Sequence, residues 1–177
     1  MSSINTHSEH TGKAFEHCSM CEELLEQKLY FVEKAYEQNP ETLEHFVLFE
    51  YALCQNCKQQ SLSQISKESM NRIREFMDAQ QEELAHSWQL MENSGLEHCA
   101  FTGTPLQEMK EFHLVAAIEN GRYRMKPMIV GPHTIQKYQD LLSDHTQQFF
   151  DDFFNDFVDI PPALAKILEE GYKPVFL

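Results

Sequence analysis

Two Cys-x-x-Cys pairs, Cys18/Cys21 and Cys54/Cys57, constrain this chain more than any other feature. A Cys-x-x-Cys turn lets two sulfurs grip one ion, and two such pairs complete the four-thiolate tetrahedron of structural zinc. The 32 residues between the pairs must therefore fold the second pair back onto the first. Their composition suits that task. Leu29–Tyr36 is rich in aromatic and β-forming residues, Gln38–Glu41 signals a turn, and His45–Leu53 returns as a second strand. After Cys57 a helical stretch carries Ile65, Ile73, Phe76, Met77, Leu84, Trp88 and Met91, mostly at three-, four- and seven-residue steps. Ser66 offers a second helix start there, so one helix and two both remain compatible with the pattern.

Composition narrows the partners. Fourteen basic residues against 28 acidic ones give a net charge of −14, which repels phosphate backbones and anionic lipid. The one short basic stripe is Arg122, Arg124 and Lys126, so nucleic acid is disfavoured without being excluded. No run of about 18 apolar residues is present, and no membrane span is expected. Residues 1–14 are polar, without an apolar stretch of the secretory kind, and read as a flexible tail. Four of the five cysteines fall in the two pairs, which fits a reducing compartment and metal; the cytoplasm is the expected location.

The second half of the chain repeats the first. Cys18, Leu25 and Phe31 map onto Cys99, Leu106 and Phe112 at an offset of 81 residues. Phe112–Ile118 reads as a strand, Asn120-Gly121 as a type I′ turn, and Arg122–Val130 as the returning strand. Beyond that shorter turn the offset becomes 77, so Leu53, Cys54 and Cys57 fall on Val130, Gly131 and Thr134. Pro132 opens a further helix. The pattern is that of a tandem duplication whose second copy kept one metal ligand of four. A second site would have only Cys99, His98 and His133 to draw on, and a buried free thiol at Cys99 is the default expectation.

The order knuckle, hairpin, then Cys-x-x-Cys at a helix start resembles the treble-clef zinc finger, over Cys18 to about Arg74 and more weakly after Cys99. The resemblance implies a fold and one structural zinc ion held by Cys18, Cys21, Cys54 and Cys57. It implies no particular activity. The treble-clef nucleases carry histidines in the hairpin and on the helix that follows. Here the hairpin has only His45 and the helix none before His86, so that chemistry is not expected.

Two other readings of these residues stand beside the structural one. A strand ending at Leu53, then Cys54-x-x-Cys57, then a helix also resembles the thioredoxin layout, in which a helix N-terminus activates the first thiol. No βαβ unit surrounds it, and Cys18 and Cys21 would go unexplained. Catalytic zinc is disfavoured because four cysteines leave no open position. His7, His10 and His17 lie close enough in sequence to act as ligands, although scattered histidines in a polar tail are commoner.

From Leu141 to Val158 the chain is acidic and rich in phenylalanine. Leu142, Phe149, Phe150, Phe153 and Phe157 share a helical face, between Asp144, Asp151, Asp152 and Asp156. Such a helix suits a protein groove better than a membrane surface. Phe149, Phe153 and Phe157 form the central stripe and are expected in the core, with Phe154 at the edge toward a partner. Ile160-Pro161-Pro162 ends the helix, and Ala163–Glu170 makes a short amphipathic turn or helix.

The expected fold is α+β: two treble-clef-like β-hairpin/helix units joined by a helical stretch, one zinc site intact and one degenerate. The expected divisions are a tail over 1–14, a zinc-binding unit with its connecting helix over 15–93, and a metal-free repeat over 94–177. No nucleophile–base pair, phosphate loop or carboxylate dyad stands out. The expected function is a non-enzymatic, zinc-stabilised protein-interaction or regulatory module. Its partner is expected to be another protein, met through Phe154, Asp151, Asp152, Arg122 and Arg124. A thiol redox protein using Cys54 and Cys57, and a nucleic-acid-associated finger, are the alternatives.

Overall fold

The computed structural model describes residues 4–80, 96–158 and Val175. Leu84, Trp88, Met91 and the segment Ala163–Glu170 lie outside the described residues. Within them the chain is α+β, with one four-stranded antiparallel sheet and four helices.

Strands β1 (Leu29–Gln38) and β2 (His45–Cys54) form the first hairpin, and β3 (Glu111–Glu119) and β4 (Arg122–Val130) the second. The second turn is as its sequence demands. Asn120 and Gly121 have φ of 51° and 69°, the left-handed pair that a type I′ turn requires. Helices α1 (Gln55–Gln64) and α2 (Lys67–Ala79) follow β2, and α3 (Pro132–Asp140) and α4 (Asp144–Phe157) follow β4. The stretch after Cys57 is therefore two helices. Ile65 leaves helical geometry, and the Ser66 side chain caps the new start by accepting from the Ser69 N–H.

The two hairpins join in a single sheet. β1 pairs with β3, giving the strand order β2-β1-β3-β4. Central strands are buried on both faces, which explains why β1 and β3 carry near-continuous apolar runs. At the middle of this junction Glu33 lies opposite Val115, and Lys34 opposite Leu114. Those four residues are also related in sequence by the offset of 81, so a local two-fold axis passes between them.

Hydrogen bonds recur at the same spacings. Cys18 N donates to Glu23 O and Cys99 N to Thr104 O; Leu25 N donates to Glu16 O and Leu106 N to Glu97 O. Ser19 N donates to Ala52 O and Ala100 N to Ile129 O, the donors 81 residues apart and the acceptors 77.

The helices cover one face of the sheet. Phe154 packs edge-on against Phe49 at 4.7 Å and Phe153 against Tyr51 at 5.3 Å, while Phe76 stacks on Phe101. Residues 5–9, within the segment expected to form a flexible tail, lie against the opposite face. The fully buried Lys34 ammonium donates there to the carbonyls of Asn5 and His7. Among the described residues no helix is long and apolar enough to cross a membrane.

Candidate metal centre

Each cysteine is placed by a local device. Cys18 and Cys21 sit in a tight turn closed by Cys18 N to Glu23 O and Glu22 N to Cys18 O, with Glu22 taking φ of 58° to complete it. Cys54 ends β2 and caps α1, its Sγ accepting from the Cys57 N–H at 3.4 Å. The Cys54 N–H in turn donates to Cys18 Sγ at 3.4 Å, tying the turn to the strand end.

The result is one cluster. The four sulfurs all lie within 4.8 Å of one another, and Cys21 Sγ is 3.9 Å from Cys54 Sγ. A tetrahedron with metal–sulfur bonds of ~2.3 Å has edges of ~3.8 Å, so the spacing fits an ion at the centre. It does not fit a disulfide; all five cysteines are free. Cys18, Cys54 and Cys57 are buried and Cys21 is exposed.

Burial raises the Cys18 thiol, but N–H groups of Cys54, Cys21 and Met20 outweigh it and bring its pKa below the ordinary value. Burial, then hydrogen bonding to Cys21, Cys54 and Cys18, pushes Cys57 upward. Four sulfurs this close cannot all ionise without a cation between them, which is the condition a metal supplies.

The corresponding place in the second half is filled by protein. Cys99 is completely buried and its Sγ accepts from Gly131 N at 3.2 Å, as Cys18 Sγ accepts from Cys54 N. Gly131 has no room for a ligand. A Cβ there would come within 2.7 Å of Met109 Sδ and 3.3 Å of Cys99 Sγ. His133 is exposed and His98 half-buried. Among the described residues they form no ligand cluster with Cys99.

The other residues singled out from the sequence are scattered. Arg122, Arg124 and Lys126 are exposed along β4, with Arg124 Nε 3.3 Å from Glu119 Oε2. Asp151 and Asp152 are exposed on α4. Phe154, expected at a partner-facing edge, is 6% exposed and belongs to the core with Phe150 and Phe153. Phe149 and Phe157, expected at the centre of the stripe, are only partly buried. The apolar arc spans too many positions for sequence alone to choose its centre, and docking on Phe49 and Tyr51 decides it.

Sequence reasoning missed a set of buried ionisable residues in the sheet. Glu33 accepts from the Tyr51 hydroxyl, from His113 Nδ1 at 2.8 Å and from Val175 N at 2.7 Å. Burial, reinforced by the Glu33 carboxylate, holds the Tyr51 phenol well above its usual pKa. Nearby Lys58 lies over the Phe31 ring at 4.1 Å, and burial lowers its ammonium to about 8 against the pull of Glu33. On the other face Lys34 pairs with Glu50 and Glu9. Glu33, Lys34 and Glu50 stand within apolar stretches of β1 and β2, but that pattern does not say what closes over them.

Fold and site together define an α+β protein with four cysteines positioned to bind one metal ion. No family model matches the chain, and neither does any curated protein or solved structure.

Proposed function

We propose that this chain is a non-enzymatic, zinc-stabilised protein-interaction module built from two treble-clef-like units, the second of which has lost its metal. The observation that carries the reading is the convergence of Cys18, Cys21, Cys54 and Cys57 within 4.8 Å. Four thiolates suit zinc in a structural role and leave it no open position for catalysis. The hydrogen bonds repeated at offsets of 81 and 77 support a common origin for the two units. Met109 Sδ against Gly131 supports replacement of the second metal by packed side chains. Free thiols of this kind suit a reducing compartment such as the cytoplasm. Of the surfaces read from sequence, Asp151 and Asp152 on α4 and Arg122 and Arg124 on β4 are exposed for contact.

The redox alternative draws on the position of Cys54 at the N-terminus of α1, three residues before Cys57. One measurement separates the two. Elemental analysis of natively purified protein is expected to find about one zinc per chain, with the four thiols protected from a thiol reagent. Metal-free protein with four freely titrating thiols, and a disulfide that forms reversibly between Cys54 and Cys57, would establish the redox reading instead.

A further inference from the structure

Lys34 and Glu50 face each other directly across β1 and β2, with Nζ 3.6 Å from Glu50 Oε2. Lys34 is completely buried, and its ammonium spends its donors on one short segment. It donates to Asn5 O at 3.3 Å, to His7 O at 2.7 Å and to Glu9 Oε1 at 2.7 Å. Glu50 supplies the complementary half. It accepts from Ser8 Oγ at 2.6 Å and from Glu9 N at 2.9 Å. On β4, the Tyr123 hydroxyl is 3.1 Å from Thr6 Oγ1. Thr6 and Ser8 are 4% and 7% exposed, unusual burial for such residues.

Carbonyls are read here by a cation, an N–H by a carboxylate, and three side chains by fixed partners. That is how a receptor reads a peptide. The fold does not require charge at this place, because the counterpart of Lys34 in β3 is Val115. A buried lysine beside a half-buried glutamate is costly unless matched. Residues 5–9 supply the match.

We propose that this face of the sheet is a receptor for peptides of the pattern hydroxyl–x–hydroxyl–Glu, with residues 5–9 as its intramolecular occupant and a partner segment of the same pattern as its competitor. The inference deepens the interaction reading and rests on it. A tethered occupant acts at an effective concentration of order millimolar, so it suppresses binding in trans until it is displaced.

The test uses the full chain and a fluorescent synthetic peptide spanning Ile4–Thr11, followed by anisotropy. Wild-type protein is expected to bind the peptide weakly. Ser8→Asp in the protein sets a carboxylate against Glu50, frees the receptor, and should tighten peptide binding at least tenfold. The same peptide carrying Ser8→Asp should not bind either protein. Metal content measured on each sample separates this result from failure of the zinc reading. Two outcomes overturn the proposal: a metal-replete Ser8→Asp protein that does not bind the peptide, or one that dimerises by exchanging this segment. Hydrogen exchange on wild-type protein tests it without any variant. The Glu9 and Gly12 amides should exchange at least a hundredfold faster than the amides of β1. Equal rates would mean that the segment leaves only when the whole protein unfolds, and the receptor reading would fall.

Discussion

Ser66 Oγ and Ser143 Oγ meet at 2.9 Å, each capping the start of a helix in a different half of the chain. Around them the bonds are reciprocal. Ser66 N donates to Thr146 Oγ1 at 3.0 Å, and Ser143 N donates to Ser69 Oγ at 2.8 Å. Each cap is thus completed by the other half, and the hydroxyls form a joint between α2 and α4.

Breaking that joint should cost more than an ordinary cap. Ser69 is completely buried, so Ser69→Ala leaves the Ser143 N–H without its acceptor. A loss of about 1–3 kcal/mol is expected from urea denaturation. Ser63→Ala, at an exposed position in α1, should stay within about 0.5 kcal/mol. Equal effects would show that the joint contributes nothing beyond local helix structure.

The metal centre predicts a sharp contrast among cysteines. Cys21→Ser and Cys54→Ser should lose the bound ion and unfold the first hairpin, because site free energy in small zinc domains is folding free energy. Cys99→Ala should keep the ion and lower stability only modestly. Elemental analysis and circular dichroism on the three variants decide it. Retention of metal by Cys54→Ser would overturn the four-ligand assignment.

Acid should release the ion. Zinc binds thiolates, so protons compete for the same sulfurs, and stability that depends on metal is present at neutral pH and lost as pH falls. Cys57, whose pKa is raised mainly by burial, favours its protonated form once the metal is gone. A chromophoric chelator should report release coincident with loss of tertiary signal. Release far above the unfolding transition would mean that the fold does not rely on the ion.

Packing around Gly131 predicts coupling between two residues. Gly131→Ala drives a methyl toward Met109 Sδ and should cost about 1–3 kcal/mol. In a Met109→Ala background that penalty should largely vanish, giving a double mutant less destabilised than the sum of the single effects. Simple additivity in chemical denaturation would show that Met109 is not what packs against Gly131.

The phenylalanine helix now makes a different prediction from the one its sequence suggests. Phe153 and Phe154 are both buried, and each truncation to alanine should cost roughly 3–5 kcal/mol. Phe149→Ala, at a partly buried position, should cost clearly less. Thermal melts of the three variants rank them. A mild Phe154→Ala would restore that residue as a surface for partners.

What the sequence by itself determined is what local chemistry controls. The paired cysteines, Asn120-Gly121 and the Ser66 cap act over a few residues, and their elements form where the pattern places them. The matched spacing of Cys18, Leu25 and Phe31 with Cys99, Leu106 and Phe112, too, is a property of the chain alone. Only the tertiary structure decided the rest. Pairing of β1 with β3 joins residues about 80 positions apart, and nothing local in either strand specifies that partner. Phe154 faces Phe49 because the sheet selects one part of a broad apolar arc. Lys34 and Glu33 look like solvated strand residues in isolation, yet each is enclosed by segments distant in sequence, residues 5–9 on one face and Val175 on the other. Burial of a charge is set by what closes over it, and that is a property of the whole fold.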